Sequence, residues 1–218
     1  MYQQKLLDAF VQGGLVPLFT HHDQDLAKQV LDVAYEAGIR VFEYTNRHDN
    51  AFKIFKNLRM HAEKYPDLFL GIGTIFETED AQKFLHAGAD FIISPAMIRE
   101  VATFCQSRGV FYIPGCATVT EVYYGKKQGA KLIKIFPGNV LGTAFVKSVL
   151  SVIPDIKLMA TGGVEPNEAN LKSWFNSGIH CVGMGSQLFD VKALEKGDFQ
   201  GLKNNIEQSL TIIQNLKK

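Results

Sequence analysis

The stretch DLAKQVLDVAYEAGIRVFEY, residues 25–44, contains a helix, its stop signal and a strand in immediate succession. Leu26, Val30, Val33, Ala34 and Ala37 recur at steps of three and four, so they share one face of a helix. Asp23 and Asp25 put acidic charge where the helix begins and its amide dipoles are positive. Gly38 then supplies the left-handed backbone on which many helices end, a conformation that costs glycine nothing. IRVFEY, residues 39–44, follows at once as an apolar strand.

Working outward, the same unit recurs in both directions. Strand-like runs fall at LVPLF (15–19), IRVFEY (39–44), LFLGIG (68–73), DFIIS (90–94), VFYIP (110–114), KLIKIF (131–136), IKLMA (156–160) and IHCVGM (179–184). Their start-to-start gaps of 20 to 29 residues each leave room for one helix and two short loops. Gly88, Gly109, Gly129 and Gly178 repeat the place of Gly38, each closing a helical segment just before a strand. Alternating strands and helices make parallel strands with right-handed crossovers, and eight such units predict a closed (β/α)8 barrel. LVPLFTHHD stands where an open dinucleotide-binding sheet would carry its glycine-rich turn. An N-terminal helix over about residues 2–12 and C-terminal helical segments over the stretch 199–218 flank the barrel, and residues 1–218 form a single domain.

The composition is that of a globular chain, with 46% hydrophobic and 21% charged residues. Its 23 Lys+Arg against 22 Asp+Glu leave a net charge of +1, which argues against nucleic acid or an anionic membrane as partner and requires any bound anion to be met locally. Cys105, Cys116 and Cys181 are odd in number, far apart and mostly in apolar runs, so they read as buried thiols in a reducing compartment. The first residues lack the apolar run of a signal peptide, and no stretch approaches the roughly 18 apolar residues of a membrane span. The expected location is the cytoplasm.

In a barrel of this kind chemistry sits at the C-terminal ends of the strands. Of 18 lysines only Lys131, Lys134 and Lys157 fall in strand runs, and Lys134 alone has two large apolar neighbours on each side. Strand alternation puts Leu132, Lys134 and Phe136 on one face and Ile133 and Ile135 on the other. Burial of an ammonium lowers its pKa towards neutrality, and a free amine is what imine chemistry on a ketone needs. Glu43, a carboxylate in an apolar strand, has Lys134 as an obvious partner and proton transfer as an obvious task. Arg47, just beyond, suits a carboxylate or phosphate. Gly71 and Gly73 admit a ligand close to the backbone, with the Thr74 hydroxyl beside them. Thr161-Gly162-Gly163 and Gly183-Met184-Gly185-Ser186 end the last two runs as glycine-rich loops, where many barrels hold a phosphate.

FEYTNR, GIGT, SPAM, IPGCAT, KIFPG, TGGV and GMGS, in that order and spacing, resemble the 2-keto-3-deoxy-6-phosphogluconate (KDPG) aldolase family, also known for 4-hydroxy-2-oxoglutarate (KHG) cleavage. The resemblance covers about residues 10–200. It implies a class I aldolase that needs no metal or other cofactor, is usually a homotrimer, takes a small keto acid and serves the Entner–Doudoroff route of carbohydrate metabolism. By it, Lys134 matches the imine-forming lysine and Glu43 the general acid/base. Arg47 and Thr74 match groups near the pyruvate carboxylate, and Thr161 a residue lining the pocket. Gly162, Gly163, Gly185 and Ser186 match the phosphate site. Asn46 stands where the family often has Leu, Gly138-Asn139 follows Phe136-Pro137 where many members continue with Ala, and Thr20-His21-His22 replaces an Arg found in some relatives. These departures surround the substrate tail and bear on aldehyde preference.

Four other readings compete. One is an aldolase of the same family acting on a phosphogalactonate or unphosphorylated keto acid. A sugar-phosphate isomerase or epimerase shares the phosphate loops but has no use for Lys134. A silent sugar-phosphate sensor has no use for Glu43 and Lys134 together. A metal site on His21, His22 and His48 lacks ligand spacing, since adjacent residues on a strand point apart.

Overall fold

The computed structural model describes residues 2–217; Met1 and Lys218, at the outer ends of the expected flanking helices, lie outside the described residues. The strands are β1 (Leu15–Phe19), β2 (Val41–Thr45), β3 (Phe69–Gly73), β4 (Phe91–Ile93), β5 (Phe111–Ile113), β6 (Gly115–Cys116), β7 (Ile133–Ile135), β8 (Leu158–Thr161) and β9 (Cys181–Met184). All pairings between them are parallel. Each of the eight expected runs contains a strand, and the fifth strand continues past the end of its run, with Pro114 dividing it into β5 and β6. Proline has no amide hydrogen to give a ladder, so the strand breaks there. Ser94 N donates to Ile113 O on one side of the break, and Lys134 N donates to Pro114 O on the other.

The sheet runs β5-β4-β3-β2-β1-β9-β8-β7-β6. Its two ends are therefore the two halves of one broken strand, and the sheet closes on itself as an eight-staved barrel. The helices α1 (Tyr2–Gly13), α2 (Gln24–Glu36), α3 (Ala51–His61), α4 (Thr78–His86), α5 (Arg99–Ser107), α6 (Val119–Lys127), α7 (Gly138–Val152), α8 (Glu168–Phe175), α9 (Val191–Glu195) and α10 (Gln200–Leu216) accompany it. Asp23 caps α2, its carboxylate accepting from the Asp25 and Leu26 amides, and Thr118 with Glu121 forms a capping box on α6. Gly38, Gly88, Gly109, Gly129 and Gly178 all take positive φ, between 64° and 104°, as the helix-stop reading requires.

Strand alternation divides the core. Phe42, Tyr44, Ile72, Ile133, Ile135 and Val182 face outward and pack against the helices. Val16, Val41, Phe69, Phe91, Ile93, Phe111, Leu132, Met159 and Cys181 face inward and fill the barrel. Helix α1 lies across the N-terminal end, where Leu6, Leu7 and Phe10 join the interior cluster. The Phe10 ring stands edge-on to Phe91 at 5.0 Å and stacks on Phe111 at 5.7 Å. The bottom of the barrel is thereby plugged with apolar side chains, and polar inward-facing residues gather at the opposite end. Cys105, Cys116 and Cys181 are buried free thiols.

Candidate active site

The inward face of β2 carries Val41, Glu43 and Thr45, and that of β7 carries Lys134, flanked by Leu132 and Phe136. Counted around the closed sheet, β2 and β7 are four staves apart in either direction. Glu43 and Lys134 therefore face each other across the barrel, 1% and 5% exposed. Burial drives both towards their neutral forms. It raises the Glu43 pKa against the opposing pull of Lys134 and Arg47. It lowers that of Lys134, with Glu43 opposing the shift and Arg47 adding to it. The two groups are coupled through their charges without a direct hydrogen bond, and Glu43 Oε2 has no partner. The Lys134 ammonium position lies 5.0 Å from the centre of the Phe136 ring.

Glycines on neighbouring strands make room for these polar groups. A Cβ on Gly73 would stand 1.6 Å from Glu43 Oε1, and one on Gly183 would stand 2.5 Å from Thr161 Oγ1. At Gly71 the Phe91 ring occupies the equivalent space. The expectation that Gly71 and Gly73 admit a ligand is corrected accordingly: the room they leave is taken by Phe91 and by the Glu43 carboxyl.

Above this layer opens a pocket of about 290 Å³. Its lining includes Leu18, Thr20, Thr45 and Arg47, then Phe136, Thr161, Gly162 and Gly163, and also Gly183, Gly185, Ser186 and Phe189. The fold thus gathers Arg47, Thr161, Gly162, Gly163, Gly185 and Ser186 around one space. Glu43 and Lys134 lie beneath it, since Thr45 and Phe136 in its wall are the next inward-facing residues along their strands. Thr74 stands outside the lining. Its φ of 63° is left-handed, an uncommon state for a β-branched residue, and its hydroxyl accepts a long 3.5 Å contact from Arg47 Nε.

The glycine loops are shaped by the start of α7. A Cβ on Gly138 would come within 2.6 Å of Gly162 O and 2.8 Å of Thr161 O, so the departure from Ala at this position lets two backbones meet closely. Gly162 and Gly163 take φ of 92° and 70°, and Asn139 packs beneath both. Of the other departures, Thr20 lines the pocket, while Asn46 Nδ2 donates to Asp80 Oδ2 at 3.4 Å.

His21 and His22 lie beyond the end of β1 in a bend, so strand alternation does not separate them and their rings stack at 4.4 Å. His21 is committed elsewhere: Nδ1 accepts from Asp23 N, and Nε2 lies 3.4 Å from Glu195 Oε1. Among the described residues no group of three His, Cys, Asp or Glu side chains is placed to hold a metal ion. Sequence reasoning passed over Thr45 and Phe136 as pocket residues, although the period-two rule applied from Glu43 and Lys134 reaches both.

A family model and relatives in sequence point to one group. A family model described as KDPG and KHG aldolase matches residues 8–205. A 2-dehydro-3-deoxy-phosphogluconate aldolase of Pseudoalteromonas atlantica is 30% identical over 204 residues, 93% of each chain. A 2-dehydro-3-deoxy-6-phosphogalactonate aldolase of Escherichia coli is 35% identical over 121 residues, 55% of this chain and 58% of its own. Among solved structures, the KDPG aldolase of Legionella pneumophila, with pyruvate captured as a covalent carbinolamine, superposes with a TM-score of 0.83 at 26% identity, covering 91% of this chain and 95% of its own.

Proposed function

The chain belongs to the KDPG and KHG aldolase family, and on that premise we propose that it cleaves 2-dehydro-3-deoxy-6-phosphogluconate to pyruvate and glyceraldehyde 3-phosphate through an imine on Lys134. By the same chemistry it splits 4-hydroxy-2-oxoglutarate into pyruvate and glyoxylate. The observation that carries the reading is a single lysine, 5% exposed, set opposite a carboxyl group at the foot of a pocket with two glycine loops in its wall.

Burial and Arg47 both favour the free amine of Lys134, which is the nucleophile. Its nitrogen attacks the keto carbon, a carbinolamine forms, and loss of water leaves a protonated imine. Glu43 takes the proton of the C4 hydroxyl as the bond between C3 and C4 breaks. The bonding pair passes into the imine as an enamine, the aldehyde leaves, and C3 is then protonated. Hydrolysis returns the free lysine and pyruvate. Arg47, with Thr74 against it, holds the carboxylate, and Thr161 lines the path of the carbon chain. Amides of Gly162, Gly163, Gly185 and Ser186 receive the phosphate.

Incubation with pyruvate followed by borohydride reduction tests this directly. Mass analysis of peptides is expected to find the adduct on Lys134, retained in Lys131→Ala and lost in Lys134→Ala; an unmodified Lys134 overturns the assignment. The E. coli relative is a phosphogalactonate enzyme, so the substrate panel includes that epimer, and the higher kcat/KM names the physiological acid. An assembly of three chains follows from the family. Val119 and Tyr123, exposed and four residues apart on α6, supply apolar surface consistent with it. Light scattering is expected to give three times the chain mass. A cytoplasmic setting in the Entner–Doudoroff route fits a chain in which, among the described residues, no helix is long and apolar enough to cross a membrane.

A further inference from the structure

Five buried side-chain oxygens in the described residues have no hydrogen-bond partner: Glu43 Oε2, Thr45 Oγ1, Ser94 Oγ, Tyr112 Oη and Thr161 Oγ1. Tyr112 faces outward into the helix layer, and Ser94 follows inward-facing Ile93 at the end of β4. The remaining three belong to the inward side. Glu43 has its task in the reaction, and Thr161 already has a place in the pocket wall. Thr45 also stands in the pocket wall but has no assigned role, and it is 2% exposed.

An unpartnered buried hydroxyl is unfavourable, and native chains keep one where something outside the chain completes it. Thr45 lines the pocket, where a bound molecule can take that role. Its carbonyl accepts from Thr20 Oγ1 and from Arg47 N, so that neighbouring acceptor is already satisfied. Its side chain lines the pocket on the inward face of β2, one step above Glu43 and one below Arg47. A substrate bound at Lys134 and reaching up to the glycine loops passes Thr45 and Thr161 in the lining.

We propose that Thr45 is a specificity-determining residue whose hydroxyl hydrogen-bonds a hydroxyl of the substrate chain beyond the keto carbon, on the half released as aldehyde. The inference rests on the aldolase reading and adds to it which feature of the keto acid the β2 wall recognises. Because the contact is to the aldehyde half, pyruvate alone does not use it.

The test compares Thr45→Val, which keeps the shape and removes the hydroxyl, with Thr45→Ser, which keeps the hydroxyl. The probes are 2-dehydro-3-deoxy-6-phosphogluconate for cleavage and pyruvate with borohydride for imine formation. Thr45→Val is expected to lose about 10- to 100-fold in kcat/KM for cleavage. Its rate of pyruvate trapping should stay within about twofold of the original, and its melting temperature should be no lower, since an unsatisfied buried group has gone. Thr45→Ser should restore most of the cleavage. Unchanged cleavage in Thr45→Val overturns the proposal, as does an equal loss of pyruvate trapping, which would put the contact on the pyruvate half. The aldolase reading stands or falls separately, on whether the unaltered chain traps pyruvate at Lys134.

Discussion

Gly73 and Glu43 share one volume: the space a side chain would take on the β3 residue is filled by the carboxyl group of the β2 residue, 1.6 Å from the Cβ position. The pair is adjacent in the sheet, with Thr45 opposite Gly73 and Glu43 one layer below on the same face. What an alanine there would meet is the mobile end of Glu43, so the carboxyl must swing away while the strand stays. Gly73→Ala is therefore expected to lower kcat about 100-fold or more, the scale of a lost general acid/base. Thermal melting should shift little. A near-normal rate in Gly73→Ala would mean that the carboxyl position does not matter to turnover.

The charges around Lys134 act in opposite directions on its proton, and this can be read in a pH profile. Trapping of pyruvate requires the free amine, so it fails as pH falls through the lowered pKa of Lys134. The negative charge of Glu43 holds that pKa up, and the positive charge of Arg47 pushes it down. Glu43→Gln is expected to move the acid limb of trapping to lower pH while cutting turnover by about 100-fold or more. Arg47→Met should move the same limb to higher pH and weaken pyruvate binding. Shifts in one direction for both variants would contradict the electrostatic account.

The barrel itself was legible because its signals are local and repeated. A helix face, a left-handed glycine and an apolar run lie within about twenty residues of one another, and five glycines mark the same stop. Lys134 and Glu43 were legible because a charge in an apolar run is conspicuous. The division of the fifth strand at Pro114 was not, since a proline at the end of VFYIP reads as a terminus and only closure of the sheet reveals the second half. The roles of Gly71 and Gly73 were misread for a related reason. Whether a missing side chain makes room for a ligand or for a neighbour depends on the next strand, and register is not written in either strand alone.

The same limit applies to α1, since the expectation of an N-terminal helix does not say what it covers. Phe10 is wholly buried between Phe91 and Phe111 at the closed end of the barrel. Phe10→Ala is expected to destabilise the chain by about 3–5 kcal/mol, the range for deleting a buried phenyl ring. For a domain of this size that corresponds to a drop of roughly 10 °C in Tm. Because the polar groups lie at the other end, kcat per folded molecule should be nearly unchanged at low temperature. Calorimetry together with an assay at 15 °C separates the two effects, and a parallel loss of kcat would place the plug in contact with the chemistry.

Gly163 offers the sharpest test of the phosphate-binding role proposed for the glycine loops. Its φ of 70° is left-handed, and a Cβ there would approach Asn139 Cβ to 2.7 Å and Asn139 Cα to 3.0 Å. The second contact is with backbone at the start of α7, so Gly163→Ala cannot be relieved by a side-chain rotation and the loop must shift. Strain of this kind costs about 1–2 kcal/mol in the ligand-free protein. The larger expected effect is on recognition: kcat/KM for phosphorylated keto acids should fall by about tenfold or more, the loss of one charge-assisted hydrogen bond. Cleavage of 4-hydroxy-2-oxoglutarate, which carries no phosphate, should fall much less. Equal losses on the two substrates would show that the Gly162–Gly163 loop supports the pocket as a whole and does not receive the phosphate.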